Sequence, residues 1–245
     1  MCLLGLAFQT LPDCPVFLFA NREESPHRQS SGPAIIHEPE GKTDWLGGID
    51  LQAGGTWLGI NQRRMIVAVT NREKNHVPDE PRSRGLLCRD LLGIAGIESA
   101  AAHAERELTT QSYAGCNFLL ANPQSAIVIE AADEICISKL PPGIHLMAND
   151  VLNDPQDPRI GRVRRLLDQI HSRDVVDWIA AAETICGLTG DENEPAICRI
   201  GSDWGTASSS MVVLADAVGQ STFRHAAGPP STTPYEDFGN LIQQL

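Results

Sequence analysis

The chain lacks any run approaching the ~20 consecutive apolar residues of a membrane-spanning helix. Its first residues carry neither the basic start nor the small-residue cleavage site of a secretory signal. These two absences predict a cytoplasmic protein with no integral membrane segment. Positive charge is also in short supply. With 19 Lys and Arg against 31 Asp and Glu, the formal net charge is −12 and the pI is near 4.9. Such a field repels phosphate, which argues against nucleic acid or an anionic membrane as a general partner. Arg162, Arg164 and Arg165 form a local basic cluster, which reads as the solvated face of a helix.

Paired metal and disulfide motifs are missing as well. The seven cysteines (Cys2, Cys14, Cys88, Cys116, Cys136, Cys186, Cys198) are odd in number and scattered, with no CxxC and no tight Cys/His grouping of the zinc kind. They read as reduced thiols, five or six of them core residues. Asn149, Asp150, Asn153, Asp154 and Asp157 gather oxygen atoms in one loop but lack the Gly and terminal Glu of an EF-hand, so turn chemistry is expected rather than a metal. His27, His37 and His145 have no partner at ligand spacing. Gly54, Gly55 and Gly59 precede no helix at P-loop spacing and read as a turn feeding a strand. No cofactor is expected, and no strong axial-ligand motif for haem is present.

What is present suits an ordinary globular chain. With 245 residues, 42% of them hydrophobic, it can bury a large core, and residues 1–245 are expected to form a single domain. Short apolar runs at 2–8 and 16–20 flank a Leu-Pro-Asp-Cys-Pro turn, as in a hairpin. Further strands are expected at 56–61, 65–70, 117–121, 126–131, 135–139, 144–148, 209–215 and 221–225, the last two joined around Val218 and Gly219. Helical patterns span 83–94, 97–108, 158–171 and 174–186, with Ser83 and Asp174 placed to cap. Helices segregated from runs of hairpins predict an α+β fold. The tract 25–55 is rich in Gly, Pro, Ser and charge and reads as a loop that could cover a site, while residues after Gly228 read as a loose tail with one short helix.

Cys2 is the position where chemistry is expected. Removal of the initiator methionine would leave its thiol on the same residue as a free α-amine, which titrates near pH 8 and can act as a built-in base. At the end of the second apolar run, Asn21, Arg22, Glu23 and Glu24 abruptly replace hydrophobic residues. In a hairpin this end lies beside the start of the first strand, so Arg22 is expected near Cys2, where a cation would favour thiolate. The same block, read alone, is a strand end entering solvent. Trp57, in an apolar strand, reads first as a core aromatic, and Ser83-Arg84-Gly85 reads first as a helix cap, with Arg84 facing an anionic group as the alternative.

Taken together, Met1-Cys2, Ala20-Asn21-Arg22-Glu23-Glu24, Gly54-Gly55-Thr56-Trp57-Leu58-Gly59, Thr70-Asn71-Arg72, Ser83-Arg84-Gly85, Tyr113, Asn117-Phe118-Leu119-Leu120, Asn149 and Gly205-Thr206 resemble the NRDE-motif family, also called the Transport and Golgi organisation protein 2 family. The resemblance covers nearly the whole chain. It implies a four-layer αββα sandwich like that of N-terminal nucleophile hydrolases, and family roles in secretory organisation, lipid or acyl-CoA metabolism and haem handling. On the hydrolase pattern Cys2 attacks an amide, ester or thioester carbonyl. Arg22 orients the thiolate, Glu23 or Glu24 holds Arg22 or the amine, and Asn71 and Asn149 supply oxyanion donors. Asn21, Trp57, Arg84 and Asn117 are the candidate ligand-binding residues.

Three departures stand out. Glu23 replaces the family's Asp, Ala207 stands where the arginine of a Gly-Thr-Arg pattern is expected, with Arg199 or Arg224 as possible substitutes, and Arg224-His225 replaces a Glu-Arg pair. Two readings follow: an N-terminal cysteine amidohydrolase or acyltransferase, or a non-catalytic carrier of a hydrophobic ligand such as acyl-CoA, lipid or haem. Oligomeric state is not legible.

Overall fold

The computed structural model describes residues 3–110 and 112–245; Cys2, the expected nucleophile, lies outside the described residues. In chain order the strands are β1 (Leu3–Leu11), β2 (Cys14–Glu24), β3 (Ala34–Ile36), β4 (Trp45–Gly47), β5 (Leu58–Asn61), β6 (Ile66–Asn71), β7 (Cys116–Ala121), β8 (Ala126–Ala131), β9 (Ile135–Lys139), β10 (Gly143–Met147), β11 (Gly205–Leu214), β12 (Thr222–Ala226) and β13 (Glu236–Asp237). The helices are α1 (Arg84–Leu92), α2 (Ile97–Thr109), α3 (Pro158–Leu167), α4 (Val175–Gly187) and α5 (Gly239–Ile242). Two compact units divide the chain: one takes it up to His27 and again over Pro142–Asn240, the other takes Arg28–Pro141 and Leu241–Leu245.

The first unit is built on an antiparallel sheet ordered β10-β1-β2-β11-β12-β13. The Pro12-Asp13 turn closes the β1–β2 hairpin with Asp13 at φ 56°, a conformation Asp tolerates better than most residues. Along β2, side chains alternate between faces, so Phe17 and Phe19 join a core with Ile160 and Val163 of α3 and Trp178 and Ile185 of α4. A side chain at Gly5 would place its Cβ 2.2 Å from Phe19 Cζ, so glycine there lets the ring lie across β1. Asp157 starts α3 by accepting from the N–H groups of Arg159 and Ile160, with Pro158 in the first turn. Asp174 does the same for α4, accepting from Val176 N–H as its sequence position predicts.

The second unit carries a sheet ordered β3-β4-β5-β6-β7-β8-β9, with α1 and α2 packed on one face over Trp45, Val67, Phe118 and Ile129. Here the reading of 25–55 as loop is corrected, since β3 and β4 extend this sheet beyond β5 and Trp45 is fully buried. Strands of three residues are too short to show a period of two. The capping expectation at Ser83 is also corrected. Its side chain makes no capping bond, while its carbonyl accepts from the N–H groups of Leu86 and Leu87.

Gly55 shows what the Gly-Gly-Thr-Trp-Leu-Gly run does structurally. A Cβ there would sit 2.2 Å from the backbone carbon of Gly85, and Thr56 N–H donates to Gly85 O at 3.0 Å. The first turn of α1 is thus laid directly on the turn before β5. Gly55→Ala is expected to lower the urea midpoint by an equivalent of about 1–3 kcal/mol. Gly32→Ala, where nothing lies within 4 Å, is the control and should change little.

All six described cysteines are free thiols, and all but Cys136 are buried. Burial pushes the thiols of Cys14, Cys88, Cys116 and Cys186 up, Cys14 to about 12, which keeps them protonated and unreactive. Among the described residues, no helix is long and apolar enough to cross a membrane.

Candidate functional site

The last turn of alternation on β2 sends its charged residues to opposite faces of the sheet. Arg22 is buried and lies in register with Ser208 of β11. Ser208 is also buried, and its Oγ has no hydrogen-bond partner among the described residues. One register step along, Ser210 Oγ is 2.9 Å from His225 Nδ1 of β12. Burial first, and then the Arg22 guanidinium, push His225 down to about 4, so its imidazole is neutral at pH 7. Glu24 places Oε2 4.0 Å from Arg22 Nη2, and its Oε1 accepts from Ser25 N–H at 2.9 Å.

The helix-covered face carries Asn21 and Glu23. The Asn21 amide donates to the carbonyls of Cys186 and Ile197, at 3.0 Å each, and so ties the end of α4 and a later loop to β2. The Glu23 side chain is fully shut off from solvent, and Arg159 Nη1 donates to its Oε1 at 3.1 Å. Burial pushes its carboxyl up from the usual range, against the opposing pull of Arg159 and Arg199. Arg159, buried in the first turn of α3, donates through Nη2 to Asn149 Oδ1 at 3.1 Å and lies 3.5 Å from Asp157 Oδ2. Glu23 and Asn149 are therefore brought together through a residue that sequence reading did not single out. A signal for it existed: Arg159 is four residues before the core residue Val163, hence on the buried stripe of its helix.

The sequence departures acquire locations. Ala207 falls at an irregularity in the β2–β11 register, between Thr206 and Ser208. Of its proposed substitutes, Arg199 brings Nε within 4.0 Å of Glu23 Oε1, whereas Arg224 pairs with Glu183 at 2.8 Å.

Asn71, Trp57, Arg84 and Asn117 all belong to the second unit. Asn71 ends β6 opposite Cys116, Arg72 Nη1 donates to Asn117 Oδ1 at 3.3 Å and Glu130 Oε1 at 3.1 Å, and Arg84 Nη1 donates to Gly115 O at 2.8 Å. Trp57 is half-buried, its ring lying against Gly48. A cleft of about 390 Å³ in the same unit is lined by Lys42, Arg82, Asp90, Ile94, His103 and Glu107, none of them a candidate residue.

Two surface readings are refined. In the oxygen-rich loop Asn153 Oδ1 accepts from Leu146 N–H and Arg164 Nη2, Asp157 caps α3, and Asp154 accepts from Gln156 N–H, all at turn or tether positions. Among the described residues no group of three His, Cys, Asp or Glu is placed to hold a metal. The Arg162, Arg164 and Arg165 cluster is not simply a solvated face. Arg162 donates to Pro195 O at 2.7 Å, Arg164 to Ile144 O at 3.0 Å, and Arg165 to both carboxylate oxygens of Glu194, so all three bind neighbouring segments.

Solved structures share this fold. Penicillin V acylase from Agrobacterium tumefaciens matches over 97% of this chain and 86% of that chain, with TM-score 0.56 and 12% identity. The Caenorhabditis elegans N-acylethanolamine-hydrolyzing acid amidase ortholog matches over 86% of this chain and 92% of that chain, with TM-score 0.55 and 12% identity. The fold is the α+β sandwich of the N-terminal nucleophile hydrolases. The family model of Transport and Golgi organisation 2 matches residues 1–225, and the chain belongs to that family. The Transport and Golgi organization protein 2 homolog of Bos taurus is 26% identical over 262 residues, covering 91% of both chains.

Proposed function

We propose that the chain is a cytoplasmic N-terminal cysteine hydrolase or acyltransferase for a small amide, ester or thioester, with Cys2 as nucleophile and residues 1–245 working as one domain. The observation that carries this reading is the buried Arg22 at the end of β2. Cys2 is bonded to Leu3, about 3.8 Å away between Cα atoms, and Leu3 is in register with Asn21, the residue before Arg22. Arg22 follows Asn21 along β2, and a guanidinium beside a thiol favours thiolate over thiol. An acylase and an acid amidase share the fold, which adds support for acyl chemistry.

In the proposed reaction the α-amine of Cys2 takes the thiol proton as sulfur attacks the carbonyl carbon. The tetrahedral oxyanion is met by an amide donor, with Asn149 of the first unit as the candidate, and the amine returns the proton to the departing nitrogen, oxygen or sulfur. Water, or another acceptor, then cleaves the thioester and restores the thiol. Arg22 holds the thiolate and Glu24 holds Arg22. Ala207, standing where the family pattern carries arginine, favours a second reading: a carrier that keeps the pocket for a hydrophobic ligand such as acyl-CoA, lipid or haem without turnover.

Intact mass and p-nitrophenyl butyrate turnover separate the two, with Cys136→Ser as the background because that thiol is exposed. Catalysis predicts loss of Met1, an acyl adduct on Cys2, and p-nitrophenolate release that falls to background in Cys2→Ser. Retained Met1, or release unaffected by Cys2→Ser, overturns the catalytic reading.

A further inference from the structure

The basic residue in the first turn of α3 is badly placed on electrostatic grounds. A helix N-terminus carries partial positive charge and disfavours a cation, and burial of a guanidinium adds a desolvation cost. Arg159 nevertheless sits there, 2% exposed. It donates to Glu23 Oε1 on β2 and to Asn149 Oδ1 after β10, and it forms an ion pair with Asp157 Oδ2 at the helix cap, 3.5 Å away. Asp157 is fixed in turn, since its Oδ1 accepts from the Arg159 N–H at 2.7 Å.

A guanidinium has donors only. The Asn149 atom 3.1 Å from Nη2 must therefore be oxygen, and the amide can take just one of its two flipped orientations.

We propose that Arg159 is a positioning residue for Asn149: held by Glu23 and Asp157, it captures Oδ1 and thereby commits Nδ2 as the donor side of the carboxamide. The proposal rests on the catalytic reading above, in which Asn149 meets the oxyanion. It also gives Glu23 a defined task on the helix-covered face, distinct from holding Arg22. Glu23, one methylene longer than the family's Asp, meets the Arg159 fork with Oε1 at 3.1 Å. Arg159 acts through Asn149 and is not itself a catalytic residue.

The test uses the full chain with Cys136→Ser, p-nitrophenyl butyrate as acyl probe and iodoacetamide as alkylating probe. Lysine keeps the charge beside Glu23 but is a point donor that cannot serve both Glu23 and Asn149. Arg159→Lys is expected to lower kcat by about 10- to 100-fold, with KM changed by less than about twofold. Alkylation of Cys2 should keep its rate, because displacement of iodide develops no carbonyl oxyanion. In an Asn149→Ala background the same Arg159→Lys change should add less than about twofold, since the two act as a unit.

Wild-type kcat in Arg159→Lys, an equal loss in both backgrounds, or a parallel loss of alkylation each overturns the proposal. If Arg159→Lys does not fold, Glu23→Gln, which is isosteric and releases the guanidinium, is read through the same cycle against the same outcomes. Turnover that survives Cys2→Ser, or is absent in the parent protein, instead brings down the catalytic reading and this inference with it.

Discussion

Arg159→Met is expected to remove about 3–5 kcal/mol of stability, the typical cost of leaving one member of a buried ion pair behind. The residue left is Glu23, whose side chain is wholly excluded from solvent. Its carboxyl is already pushed up by burial, and Arg159 is the leading influence pulling it back down. Arg199, 4.0 Å away and partly exposed, pulls on it less than Arg159 does. In the variant Glu23 is expected to hold its proton in the folded state while the unfolded chain releases it near the ordinary carboxyl value of 4.5. A raised folded-state value means stability that is complete below 4.5 and lost as pH rises, so the defect deepens from pH 4 towards pH 7. Adding Glu23→Leu should recover most of the loss and flatten the pH dependence, because an apolar pair carries no desolvation cost. Urea unfolding of the single and double variants at pH 5 and pH 8 measures this; a single variant as stable as the parent at pH 8 would contradict it.

The second large effect runs in the opposite direction with pH. His225 is buried, faces Arg22 from β2 and Ser210 from β11, and has exposed Glu236 as its register partner on β13. The unfolded imidazole takes a proton near 6.5, whereas the folded one resists until about 4. The stability linked to this depressed value is present above 6.5 and lost as pH falls towards 4, and it amounts to about 3 kcal/mol. Below 4 no further loss comes from this residue. His225→Gln keeps a polar partner for Ser210 and cannot titrate, so the slope of unfolding free energy between pH 6.5 and 4 should be shallower in that variant. An unchanged slope would show that His225 is not the group responsible.

Much of the fold was legible in the residues. The long apolar runs, the Pro12-Asp13 turn and the cap at Asp174 all carry local chemistry that decides local structure. Strands β3 and β4 were hidden because β4 exists by pairing onto β5 and β3 by pairing onto β4, and no three-residue segment announces a long-range partner. The acidic and basic residues of the candidate site were legible as a block, but their division between faces depends on strand alternation continuing through Arg22 and Glu23. The partner of Glu23 depends on a helix whose start lies far along the chain. Helical spacing from Val163 places Arg159 on the buried stripe, yet an arginine is ordinarily assigned to solvent, and that expectation concealed it. Ala207 was readable as a missing arginine; that its strand changes register there was not.

The interleaving of the two units along the chain has a consequence for biosynthesis. Leu4 pairs with Met147 and Ala20 with Ser210, whereas the second unit is drawn almost entirely from Arg28–Pro141. As the polypeptide leaves the ribosome, the β1–β2 hairpin emerges before β10 and β11 and must wait for these neighbours on both edges while the intervening segment is made. At ~5–20 residues per second that interval lasts on the order of ten seconds. During it the still unpaired outer edges of an apolar hairpin stand exposed, a template for unwanted strand addition. The β1–β2 hairpin thus depends on chaperone protection until β10 and β11 arrive.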